Sequence, residues 1–214
     1  MTLTAERFKL GMSYDEAKAH LPKNLPNIEE NERVIKLSQA DLAPWRSLAL
    51  AHNVMVLVID PCPDVYTNLP ILARIAKESG KLNVGIFMRD DNKDLMVEFM
   101  NGPYESVPVF AFYDDDFTLR SVFIERPKSV TDLRAERTRQ IFQANPEFGP
   151  AGTSPSEMAA DARDRYQAAI RDMRAETASS YISESIRELG EIARELATNP
   201  VTAKWHGNLV AVPA

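Results

Sequence analysis

Six consecutive apolar residues, Val54-Met55-Val56-Leu57-Val58-Ile59, constrain this chain more than any other feature. An uninterrupted run rich in β-branched side chains has no polar face to offer water. It reads as a strand covered on both sides, and it is far too short to cross a bilayer. A sheet built around such a strand needs helices on each face, and one follows at once. Leu69, Ile71, Leu72, Ile75 and Ala76 give the next segment a helical inner side, and Gly80 stands where glycine closes helices.

The alternation continues downstream. Residues 82–88 predict a second strand, and 90–100 a short helix with an acidic start and an apolar edge at Leu95, Met96, Phe99 and Met100. Residues 107–113 predict a third strand, Asp114-Asp115-Asp116 a solvated turn, and 117–124 a returning fourth. A β-α-β unit followed by a hairpin gives an α/β fold. Its sheet is mixed and four-stranded, with the first two strands parallel and the last two antiparallel.

Both flanks are helical. In the first fifty residues, Phe8, Leu10, Met12, Ala17 and Leu21 recur with roughly helical period. Gly11 interrupts them, and Ser13 with Glu16 has the spacing of a capping box that starts a fresh helix. Pro22 and Pro26 are expected to end it, and Ser38 and Asp41 are candidate N-caps for another running through Trp45 to His52. Past the hairpin, 128–144 predicts one helix capped by Ser129 or Thr131. Residues 145–156, with three prolines and two glycines, read as a linker. Residues 161–197 predict a long helical stretch with a break near Ser179-Ser180 and an apolar stripe at Ile182, Ile186, Leu189, Ile192 and Leu196. That stripe is short for a coiled coil and most simply packs on the same domain. A short strand is expected around 209–212. The division is therefore a helical extension over 1–52, an α/β domain over 53–144, and a linker with a C-terminal helical extension over 145–214.

Composition removes several function classes. With a net charge of -6, no electrostatic case exists for nucleic acid or an anionic membrane as the main partner. The opening residues lack the basic-then-apolar layout of a secretion leader, so a cytoplasmic setting is expected. His20, His52 and His206 lie far apart and show no metal-ligand spacing. No metal or cofactor is expected. The single cysteine, Cys62, excludes an intramolecular disulfide and a cysteine-rich zinc site. Any thiol chemistry must run through Cys62 and a second molecule, a protein or a low-molecular-weight thiol. The sequence does not fix the oligomeric state.

The middle of the chain, over about 48–144, resembles a thioredoxin domain, in particular bacterial thioredoxin-like proteins with a helical N-terminal extension. The buried strand runs into the turn Cys62-Pro63-Asp64-Val65, and Pro70 sits eight residues beyond the cysteine, where thioredoxins kink their active-site helix. Ser106-Val107-Pro108-Val109-Phe110 resembles the loop whose proline is cis in this fold and faces the thiol. A hairpin and a helix follow in the family's order. Three positions depart from the pattern. Val65 replaces the resolving cysteine, Val56 the buried acid that assists proton transfer, and Pro61 the tryptophan before the first cysteine. A mixed disulfide on Cys62 then has no internal thiol to release it.

Two readings follow. In the first, Cys62 at a helix N-terminus is favoured as a thiolate by unpaired N–H groups and the helix dipole, with the charge of Asp64 acting against it. It would exchange with a disulfide or carry a small thiol. Pro63 and Asp64 would shape the turn, while Val107 and Pro108 would present the substrate backbone, as the resemblance implies. In the second, Cys62 is a small half-buried apolar residue and the fold is a non-catalytic binding module. Peroxide reduction fits less well, because the threonine-containing turn and arginine of peroxidatic sites are missing.

Overall fold

A computed structural model describes residues 3–210. The N-terminal part forms four helices: α1 (Ala5–Phe8), α2 (Tyr14–Ala19), α3 (Leu25–Val34) and α4 (Gln39–Arg46). β1 (His52–Val58), α5 (Pro63–Ser79) and β2 (Leu82–Met88) follow. Two 3₁₀ turns flank the single turn of α6 (Lys93–Met96). Next come β3 (Val109–Tyr113), β4 (Leu119–Ile124), α7 (Lys128–Ala144), α8 (Ala160–Glu176), α9 (Ala178–Leu196) and β5 (Lys204–Gly207).

The sheet has five strands in the order β2-β1-β3-β4-β5, one more than the sequence predicts. β1 is its centre, parallel to β2 and antiparallel to β3, and Val54 to Val58 are fully buried, as their unbroken apolarity requires. Trp45 of α4 stacks on Phe112 of β3 at 6.0 Å, which ties the N-terminal helices to the sheet. Ile186, Leu189, Ile192 and Leu196 of α9 pack against the same core. Among the described residues no helix is long and apolar enough to cross a membrane.

The capping box Ser13–Glu16 forms, and Gly80 closes α5 in the left-handed conformation. Other boundaries differ from expectation. Pro26 starts a helix instead of ending one: it lies in the first turn of α3, where a missing N–H breaks no hydrogen bond. α4 is capped by Ser38 but stops at Arg46, because His52 already belongs to β1. Neither Ser129 nor Thr131 caps α7; Pro127 occupies that position, and Ser129 Oγ is bonded to Glu184 Oε2 at 2.9 Å. The break in the long helical stretch falls at Thr177, between α8 and α9.

The fifth strand lies at Lys204–Gly207 instead of 209–212; Leu209 and Val210 are not in a strand, and 211–212 lie outside the described residues. It pairs parallel to β4, with Ser121 opposite Lys204 and Ile124 opposite Gly207. Four residues are too few to show a period. Carboxylates of α9 hold the strand: Glu188 Oε1 accepts the Gly207 N–H at 2.6 Å, and Glu195 bonds His206 at 2.8 Å and Lys204 at 3.2 Å. Gly207 has φ +91, and a Cβ there would stand 2.1 Å from the Ile124 carbonyl oxygen, so no other residue fits. The opposite edge of the sheet is met by Met12, which exchanges two backbone hydrogen bonds with Ile86 of β2.

Candidate functional site

Cys62 is the N-cap of α5, at the end of the loop leaving β1. Pro63 opens the helix with the φ that its first turn needs and no N–H to satisfy. The loop is held from the N-terminal side by one asparagine. Asn24 Oδ1 accepts the Cys62 N–H at 3.0 Å, and Asn24 Nδ2 donates to the Ile59 carbonyl at 3.2 Å. Asp60 answers by accepting the N–H groups of Lys23 and Asn24, each at 2.8 Å, at the entrance to α3. The Asp60–Pro61 and Val107–Pro108 peptides are both cis.

The Cys62 thiol is half-buried and donates to the Val107 carbonyl oxygen at 3.7 Å. Burial pushes its pKa up. The N–H groups of Val65 and Asp64 pull it down, as the helix terminus predicts, while the charges of Asp64 and Glu125 push it up again. Desolvation leads this balance, so the thiol stays protonated at neutral pH.

Asp64 faces the other way. Its Oδ1 accepts from the Tyr181 hydroxyl at 2.7 Å and Arg126 Nε at 3.2 Å, while Oδ2 lies 3.1 Å from Arg126 Nη2. Arg134 adds a looser bridge at 3.7 Å. Burial and the adjacent Asp64 charge raise the Tyr181 pKa well above its ordinary value, which keeps the hydroxyl a donor. Asn68 locks this arrangement by donating to Tyr181 Oη at 2.7 Å and to the Glu125 carbonyl at 2.8 Å.

A cleft of about 600 Å³ opens beside the thiol. Cys62 and Val107 line it together with Pro61, Arg89, Tyr104 and Glu125, whereas Pro63, Asp64 and Pro108 do not. Pro108 contributes through its carbonyl, which accepts the Glu125 N–H at 2.8 Å. The chain after β5 forms the far wall. Asn208 Nδ2 donates to Glu125 Oε2 at 2.6 Å, and Asn101 clasps the segment by donating to the Asn208 carbonyl and accepting the Val210 N–H, both at 2.7 Å. Among the described residues no group of three His, Cys, Asp or Glu side chains could hold a metal ion.

A family model described as thioredoxin matches residues 11–139, more than half of the chain. The chain belongs to the thioredoxin family. Among solved structures, a Pseudomonas aeruginosa protein of unknown function aligns with a TM-score of 0.62 and 18% identity, covering 94% of this chain and all of that one. An HIV epitope-scaffold aligns with a TM-score of 0.56 and 16% identity, covering 88% of this chain and 95% of that one. No curated protein matches.

Within this thioredoxin-family chain, Val56 and Val65 are fully buried in the apolar core, so the places of the acid and the second cysteine are filled by packing. Sequence reasoning missed Asn24, Asp60, Glu125, Arg126, Tyr181 and Asn208. Asn24 stands between two prolines and reads only as loop. Tyr181 lies 117 residues from Asp64, a separation that no local pattern bridges.

Proposed function

We propose that this protein is a thioredoxin-fold binding module, in which the cleft beside Cys62 and Val107 receives an extended peptide or a small thiol-bearing ligand. One observation carries the reading: Cys62 is a protonated, half-buried donor to the Val107 carbonyl, with its pKa raised by burial. Such a thiol is a contact surface before it is a nucleophile. Arg89, Asn101, Glu105, Glu125 and Asn208 supply polar groups beside the apolar Ile59, Pro61, Val107 and Val210, a mix suited to fixing a ligand's orientation. A cytosolic setting, where thiols stay reduced, belongs to this reading.

A second reading rests on the N–H groups of Asp64 and Val65, which draw the thiol's pKa down. Once deprotonated, Cys62 would attack a disulfide and form one new S–S bond while the other sulfur leaves as thiolate. An external thiol would then release the adduct. The pH dependence of alkylation separates the two. The binding reading expects Cys62 in the folded chain to titrate above the ordinary cysteine value of about 8.5 and to react more slowly at neutral pH than in the denatured chain. A folded-state titration below that value would overturn it. Partners captured equally by wild type and Cys62→Ser support binding, and partners captured by wild type alone support chemistry.

A further inference from the structure

A second cavity, of about 460 Å³, lies among α3, α5, α7, α8 and α9 and shares no lining residue with the Cys62 cleft. Arg134 of α7 and Arg171 and Arg174 of α8 all line it. Their carboxylate partners are few. Arg134 reaches only Asp64, at 3.7 Å, and that carboxylate is already held by Arg126 at 3.1 Å and the Tyr181 hydroxyl at 2.7 Å. The Arg134 Nε–H is buried without an acceptor, and its guanidinium lies over the Tyr181 ring at 4.7 Å. The side chains of Arg171 and Arg174 form no ion pair with any described residue. Glu30, the one acid on the wall, is bridged to Arg33.

Arg134 is the partly buried member of the three, its Nε–H has no acceptor, and an anion in the cavity would meet it together with the exposed Arg171 and Arg174. Burial and the neighbouring charges of Arg126 and Arg174 weigh against the Arg134 cation. The concentration of positive charge is also opposite to the chain's net charge of -6. Planar guanidinium forks match the paired oxygens of phosphate and carboxylate groups. The Tyr66 hydroxyl, kept protonated because burial raises its pKa, stands on the same wall as a neutral donor. We propose that this cavity is a binding site for a small ligand bearing a dianionic group, a phosphate ester or paired carboxylates, gripped by Arg134, Arg171 and Arg174.

Titration calorimetry on the full chain at constant ionic strength tests this, with pyrophosphate and citrate as separate probes. Saturable one-to-one binding is expected for at least one probe, weakened tenfold or more in Arg171→Ala/Arg174→Ala. Both of those side chains are on exposed helix positions, so the double variant should fold, which a circular dichroism melt checks. Arg163→Ala/Arg194→Ala, altered outside the cavity, should bind like wild type. Binding of pyrophosphate alone assigns a phosphoryl ligand, and binding of citrate alone a carboxylate one. No saturable binding of either probe, or equal weakening in both double variants, overturns the proposal.

Discussion

The N-terminal helices reach the Cys62 loop through Asn24, and the C-terminal helices reach it through Tyr181, two residues further along at Asp64. The first grip is neutral: an amide side chain satisfies one backbone N–H and one carbonyl. The second is ionic: a carboxylate buried under α9 is shared by a phenol and two arginines. Neutral and ionic grips fail differently. Removing one partner from a buried ion pair strands a charge, while removing an amide strands only hydrogen-bonding groups. The ionic side should therefore dominate stability, and the neutral side should control the local shape of the loop.

The largest effect is expected from Asp64→Ala. It takes the carboxylate away from both Arg126 and Arg134, leaving Arg126 its 3.4 Å contact with Glu125, and should cost about 3 to 5 kcal/mol in urea denaturation. A loss below about 1 kcal/mol would show that the arginines find solvent and that the two grips are alike. Next comes Asn24→Ala, which unpairs the Cys62 N–H and the Ile59 carbonyl and should cost about 1 to 3 kcal/mol. It should also speed exchange of the Cys62 amide proton, a local effect that Asp64→Ala reproduces only by lowering global stability.

Much of this contrast lies beyond what the sequence shows. The central strand, the helix after it and the return hairpin were legible because burial on two faces and a positive-φ glycine leave marks at short range. The thioredoxin turn and the proline loop were legible as a spacing. Asp64 was legible as part of the motif, but the direction of its side chain was not, because Arg126, Arg134 and Tyr181 are brought to it by tertiary packing alone. The state of Cys62 was only half legible, for a related reason. Helix-end electrostatics can be read from position, whereas desolvation depends on everything packed around the sulfur.

Gly207→Ala sharpens the comparison at the C-terminal side. With a Cβ 2.1 Å from the Ile124 carbonyl, β5 should detach while the remaining sheet persists. Limited proteolysis near Val201 should rise at least tenfold, with a global cost of about 1 to 2 kcal/mol at a strained positive-φ site. Asn208→Ala should be milder, about 1 kcal/mol, because it removes one hydrogen bond to Glu125 at the cleft wall. The smallest effect concerns pH. The folded Cys62 has a raised pKa, so its contribution to stability is complete below the ordinary cysteine value and fades as pH rises through the folded value. Wild type should lose stability relative to Cys62→Ala only in alkaline buffer; a divergence beginning near pH 6 would mean a thiolate in the native state.

The outer strands of the four-stranded core, β2 and β4, are both covered by chain from outside it. Met12 covers part of β2, and β5 covers β4. These guards do not arrive together during synthesis. Met12 leaves the ribosome before the strand it protects, but β4 must wait some eighty residues for Lys204 to Gly207, its register partners. Throughout that interval β4 offers unpaired N–H and carbonyl groups to any neighbouring strand. A nascent chain stalled between α7 and β5 is thus the form of this protein most exposed to aggregation, and the one a chaperone would have most reason to hold.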